Sequence, residues 1–204
     1  MAELPEIERY RLVLSPHITG REITGVEVNR AKSINMPVPE FIAQVQGERI
    51  SEIDRRAKHL IFRLRSGEEL LLHLMIGGWI FLGDYGAHPV PQKQVILSFG
   101  ERKLYFVGLR LGYLHLLSAE KILEKLAGLG PEPLDPAFRF EDFQGRMRDR
   151  RGSLKSILVD PKFIAGIGSC YSDEVFKQSC GPSNLLANSQ RNRLVFCSMP
   201  LDLF

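Results

Sequence analysis

Cysteine is scarce and scattered. Cys170, Cys180 and Cys197 are the only three in 204 residues, and no two stand in the Cys-x-x-Cys spacing that a zinc site or a redox pair uses. A disulfide framework is excluded with them, and the pattern fits a reducing cytosol. The chain has no charged leader followed by an apolar stretch, and no apolar run approaches the ~18 residues of a membrane span. Secretion and membrane crossing are therefore not expected. Internal repeats and low-complexity tracts are absent too. Charge of one sign is barely in excess: net +3 and a pI near 8.8 point only weakly to a nucleic-acid partner. The local distribution says more. From Arg146 to Lys155, five of ten residues are basic (Arg146, Arg148, Arg150, Arg151, Lys155) against the single acid Asp149.

What is present is enough apolar residue, 44%, for one large or two small cores. Pro5 through Leu14 reads as a helix, with proline in its first turn and Glu6 and Glu8 complementing the dipole. Short β-prone segments follow, at residues 23–28, 47–54, 59–64, 70–74, 80–82, 95–99, 103–107 and 112–116, separated by turns such as Arg65-Ser66-Gly67-Glu68-Glu69. This texture predicts an antiparallel β-sandwich over residues 1–118. Residues 119–135 hold an amphipathic helix and a Gly/Pro-rich linker. Residues 136–189 are helical, with helices expected at 140–147, 154–159 and 168–178, and 190–204 form an atypical tail. The fold class is α+β, and a basic cleft between the two parts is the expected binding site.

The first three residues carry candidate chemistry. A small residue after the initiator favours removal of Met1, which would expose the amine of Ala2. Such an amine titrates near ~7.7–8.0, so a useful fraction is nucleophilic at neutral pH. Amines attack sugar carbons to form Schiff bases, and Glu3 beside it could move the protons required.

The opening Ala2-Glu3-Leu4-Pro5-Glu6-Ile7-Glu8 resembles the start of the formamidopyrimidine-DNA glycosylase/endonuclease VIII family, Pro-Glu-Leu-Pro-Glu-Val-Glu after the initiator. Arg55-Arg56-Ala57-Lys58-His59-Leu60, Leu72-His73-Leu74-Met75-Ile76-Gly77-Gly78 and Leu129-Gly130-Pro131-Glu132-Pro133-Leu134 are similar to further motifs of that family. So are residues 154–160 and 164–174, which resemble its helix–two-turns–helix module, and Asn184–Ser189. The resemblance covers residues 1 to about 189, in order.

It implies a DNA base-excision glycosylase with β-elimination (apurinic-site lyase) activity on oxidised bases. Ala2 would be the nucleophile and Glu3 the acid/base, with double-stranded damaged DNA as partner and a monomer as the working form. Ala2 replaces the family's proline, so its amine is primary and must form a protonated imine where proline gives a permanent iminium. By the same resemblance Lys58, Arg110, Lys155, Gly168 and Ser169 fall at phosphate-binding positions, with Arg146, Arg148, Arg150 and Arg151 as a diffuse reserve. Ser169 stands where the family has asparagine and offers fewer donors. Ile76, Leu109 and Leu111 fall where the oxidised-purine branch inserts Met, Arg and Phe into the emptied base stack. Three aliphatics can wedge but cannot read an opposite base.

The family's four-cysteine zinc finger has no counterpart in this sequence, so neither metal nor other cofactor is expected. The tail reads as a truncation or frame change. His59, His73, His88 and His115 read as structural or surface residues. Two other readings stay open: a damaged-DNA-binding homologue without catalysis, and a partly folded product with no role. Borohydride trapping separates the first from catalysis, and binding to an abasic duplex separates the two.

Overall fold

The computed structural model describes residues 1–84, 93–148 and 150–179. It divides into two compact units, Met1–Gly128 and Leu129–Phe204. His88, the Asn184–Ser189 motif and the 190–204 tail lie outside the described residues.

In the first unit, helix α1 (Leu4–Ile18) is followed by strand β1 (Gly25–Val28), a 3-10 turn (Ala31–Ser33) and helix α2 (Val38–Val45). Seven strands follow: β2 (Ile50–Arg56), β3 (His59–Leu64), β4 (Glu68–His73), β5 (Trp79–Asp84), β6 (Lys93–Phe99), β7 (Arg102–Val107) and β8 (Tyr113–Ser118). Helix α3 (Ala119–Leu126) closes the unit, its N-cap Ser118 accepting from the Lys121 amide. The strands form two four-stranded antiparallel sheets, ordered β1-β6-β7-β5 and β2-β3-β4-β8.

Alternation sorts the faces. Leu60, Phe62, Leu70, Leu72, Leu114 and Leu116 of one sheet share a core with Val95, Leu97, Leu104 and Phe106 of the other. Phe62 and Phe106 meet edge to face across the layers at 6.3 Å. Ile7, Leu14 and Ile18 of α1 and Phe41 and Val45 of α2 complete it. The sandwich expected from the sequence is present.

Two local departures have physical causes. Helix α1 runs a full turn past Leu14 and contains Pro16. Buried Ile18 holds that turn against the core. Helix α2 was not foreseen, because Pro37 and Pro39 punctuate its start; both sit at its first turn, where the missing N–H costs nothing.

In the second unit, α4 (Phe140–Arg148), α5 (Leu154–Leu158) and α6 (Ser169–Ser179) gather Ile157, Leu158, Phe163, Ile164 and Ile167 into a small core. The Gly/Pro segment is a docked strap within this unit. Gly130 donates to the Pro161 carbonyl (2.8 Å) and Ala165 to that of Pro131 (2.8 Å). A Cβ at Gly130 would lie 2.6 Å from the Lys162 carbonyl oxygen, so only glycine allows the approach.

Candidate active site

The chain begins at an exposed Met1, and burial rises at once: Ala2 packs partly against the core and Glu3 is 2% exposed. Glu3 caps helix α1 in a capping box, its carboxylate taking the Glu6 amide while Glu6 Oε2 accepts from the Glu3 amide at 2.8 Å. The carboxylate next to Ala2 is therefore fixed by the helix that follows it.

Lys58 stands within electrostatic reach of that carboxylate. Burial lowers the Lys58 ammonium pKa from its ordinary value, and the Glu3 charge acts against the shift. Lys58 is presented by the two-residue turn joining β2 to β3, where Arg56 pairs with His59 and Ala57 holds a φ of +53°. Arg55 secures the turn by donating to the Ala57 carbonyl (3.2 Å). Glu3 and Lys58, far apart in sequence, are thus brought together.

Next to Lys58, the outer face of the β2-β3-β4-β8 sheet carries three histidines and a tyrosine. His59 and His73 are cross-strand partners with ring centroids 4.4 Å apart, and Tyr113 stacks on His73 and on His115. His59 Nδ1 faces the Arg56 carbonyl at 3.3 Å and so carries the proton. Its Nε2 then accepts from the Tyr113 hydroxyl at 3.2 Å. His73 Nδ1 accepts from the Met75 amide at 3.0 Å, where Met75 holds a φ of +50°. Burial pushes His59 down to about 3 and His73 and His115 to about 4, helped by the charges of Lys58 and Lys125 on His73. These residues bond and stack on one another, and His73 holds the backbone of the loop that bears Ile76.

The three wedge positions separate. Ile76, between β4 and β5, is 65% exposed, and Leu111, between β7 and β8, is 63% exposed. Their loops touch: a Cβ on Gly108 would lie 2.2 Å from the Gly77 carbonyl oxygen. Leu109 corrects the expectation. It is fully buried in the sandwich core, because an aliphatic side chain at this position gains by turning inward where a charged one could not. Arg110 between them is exposed.

In the second unit, Lys155 lies in the first turn of α5 and Ser169 opens α6, exposed, directly after buried Gly168. Lys155 Nζ is paired with Asp173 Oδ1 of α6 at 2.5 Å, both about half exposed. Two of the reserve arginines are occupied in folding. Arg146 donates to the carbonyls of Phe163 (3.1 Å) and Lys162 (2.9 Å), and Arg150 to Asp160 (3.2 Å), both guanidinium groups lying against the Phe163 ring. Sequence reasoning missed both: Arg146 bonds the carbonyls of a turn, Arg150 a carboxylate ten positions on, and neither partner is marked by a local pattern.

Residues 1–113 match the family model of the formamidopyrimidine-DNA glycosylase N-terminal domain. Among curated proteins, the chain is 34% identical over 177 residues to a formamidopyrimidine-DNA glycosylase of Chloroflexus aggregans, covering 85% of this chain and 64% of the relative. It is 33% identical over 190 residues to that of Carboxydothermus hydrogenoformans, covering 92% and 70%. Among solved structures, the Lactococcus lactis formamidopyrimidine-DNA glycosylase non-covalently bound to DNA containing an abasic site matches with a TM-score of 0.78 and 28% identity, covering 85% of this chain and 67% of that one. The same enzyme bound to DNA containing a formamidopyrimidine-dG matches equally well. This chain spans about two thirds of the length of these relatives. With the antiparallel sandwich, the buried Glu3 and the Lys58 turn in place, the chain belongs to the formamidopyrimidine-DNA glycosylase/endonuclease VIII family.

Proposed function

We propose that this chain is a DNA base-excision glycosylase and apurinic-site lyase that acts on oxidised bases in double-stranded DNA through an N-terminal amine. The observation that carries the reading is Glu3: a buried carboxylate one residue from the nascent amine, locked by a helix cap and faced by Lys58. Once Met1 is removed, the Ala2 amine attacks the anomeric carbon of the sugar. The base leaves with its bonding electrons and takes up a proton, for which Glu3 is the relay. The C1′–O4′ bond then breaks with its electrons on O4′, which takes a proton through Glu3, and the ring-opened sugar is left as an imine, protonated on nitrogen, that makes the neighbouring C2′ proton acidic. Its removal lets the 3′ phosphate depart with the electrons of the C3′–O bond.

Lys58 and Arg110 would bind phosphates in the first unit, as would Lys155 and the Gly168–Ser169 helix start in the second. Similarity to relatives solved on damaged duplexes supports the substrate class. The chemistry is carried by an amine and a carboxylate and calls for no cofactor. The scattered cysteines fit a reducing compartment, and the proposed working form is a monomer in the cytoplasm, beside its DNA.

The test is intact-mass measurement of the purified chain before and after borohydride treatment with an abasic-site duplex. The expected result is loss of Met1 and a covalent adduct that N-terminal acetylation abolishes. Ala2→Pro should raise the yield by restoring the secondary amine. Glu3→Gln, which keeps the cap acceptor, should suppress base release far more than cutting at a preformed abasic site. Tight binding with no adduct, even for Ala2→Pro, would replace this reading with that of a non-catalytic damaged-DNA binder.

A further inference from the structure

The loop joining β7 to β8 is held more firmly than a surface loop requires, and two of the three residues holding it, Arg30 and Ser33, belong to a distant stretch of sequence. Leu109 is its buried anchor. The Leu109 carbonyl accepts from Ser33 Oγ at 3.2 Å, and its amide donates to Gln94 Oε1 at 3.2 Å. One residue on, the Arg110 carbonyl accepts from Arg30 Nη2 at 3.1 Å. Ser33 is fully buried and Gln94 is 5% exposed, so two of these bonds are out of water. The bracing segment is itself tied to β8, where Asn35 exchanges two hydrogen bonds with the Leu116 backbone (2.8 and 2.9 Å). Arg30 to Asn35 therefore links β1 of one sheet to β8 of the other and grips the loop between.

We propose that Ser33, supported by Arg30 and Gln94, is a positioning residue that locks Leu109 inward and so presents Leu111 as the sole rigid apolar tip of this loop for insertion beside a damaged nucleotide. The inference rests on the functional reading above and adds the device that sets damage discrimination. An inserted tip gains affinity only to the extent that it is ordered beforehand, because ordering it on binding costs entropy. Removing the Ser33 hydroxyl leaves a buried carbonyl without its donor, and the loop relaxes toward water with both leucines. Leu111 then enters the stack from a mobile loop.

The experiment compares binding to a duplex carrying a tetrahydrofuran abasic analogue with binding to the same intact duplex. 2-Aminopurine opposite the lesion reports unstacking. Ser33→Ala should lower the damaged-to-intact affinity ratio by about tenfold and quench the 2-aminopurine rise, with the salt dependence unchanged. Gln94→Met should act in the same direction from the other side of Leu109. Adding Leu111→Ala to Ser33→Ala should cost no further discrimination, since both act through one tip. Fully additive losses, or an unchanged ratio and unchanged fluorescence in both brace variants, would overturn the inference while leaving the glycosylase reading intact. A wild-type chain that does not distinguish the two duplexes at all would overturn the functional reading and this inference with it.

Discussion

Arg55 donates its Nε to Glu8 Oε2 at 2.7 Å, joining the helix that carries the N-terminus to the turn that carries Lys58. The same guanidinium holds the Ala57 carbonyl, and Glu8 is shared with Arg11. Arg55 is 9% exposed at its side chain, so its charge is largely out of water.

Glu8→Ala should therefore destabilise the first unit by about 2 kcal/mol, in the range for losing a charge-assisted hydrogen bond. Arg11 and then Arg55 hold the Glu8 carboxyl below its ordinary value. Its contribution is present above the unfolded pKa of about 4.5 and is lost as pH falls through the folded value. Chemical denaturation at pH 7 and at pH 3 checks both points: the gap between wild type and Glu8→Ala should narrow at pH 3.

The histidine stack gives a second pH dependence in a separate window. His59, His73 and His115 are depressed below 6.5, so the unfolded chain takes up protons that the folded chain refuses. Stability is full above about pH 6.5 and falls as pH drops toward 4. Lys58, Lys125 and Arg56 all repel a proton here, acting in the same direction. His59→Gln should flatten the change in melting temperature between pH 6.5 and 4.5, and an unaltered profile would remove His59 from the stack's titration.

If Lys155 binds a phosphate as proposed, its ion pair with Asp173 competes with the DNA. Asp173→Asn should tighten duplex binding a few-fold at low salt, an advantage that shrinks as salt screens it. With Lys58, Arg110 and Lys155 as the three proposed contacts, log affinity should fall against log salt with a slope near ~−2 to −3, and Lys155→Ala should flatten it by about one. Binding titrations at several salt concentrations decide this. Unchanged affinity in Asp173→Asn would mean that the pair does not restrain the lysine.

Leu109 and Leu111, two residues apart, should behave oppositely. Leu109→Ala opens a cavity in the core and should cost about 2–5 kcal/mol. Leu111→Ala should be near neutral for stability and should lower only the preference for damaged duplex. Leu109→Arg should destabilise the chain, because the site faces the core. Thermal denaturation of the three variants separates these outcomes.

The sandwich was legible in short β-prone segments separated by turns: Leu60, Phe62 and Leu64 join the core and Arg63 faces out, although Ile61 on the outer face is buried as well. Ala2, Glu3 and Lys58 stand in short motifs, and the structure shows the buried Glu3 and its electrostatic reach to Lys58. Leu109 was not, since position in a motif carries no information on which way a loop side chain turns. The Lys155–Asp173 pair and the Arg146 anchors were hidden for another reason. They join residues one or more helices apart, and no local pattern marks them. Arg30, Ser33 and Asn35 were invisible as a group, because only the antiparallel register brings them to a loop and a strand some 76 to 81 positions away.

The contact between Gly77 and Gly108 also limits how this site can diversify. No side chain fits at Gly108 without displacing the facing backbone, so the two loops can drift only as a unit. Ile76 and Leu111 remain as the two tips whose chemistry can change without disturbing that seam. A library aimed at a new lesion preference should saturate those two positions and hold the glycines fixed. Its productive variants should then differ in what the tips offer, with the spacing between the tips unchanged.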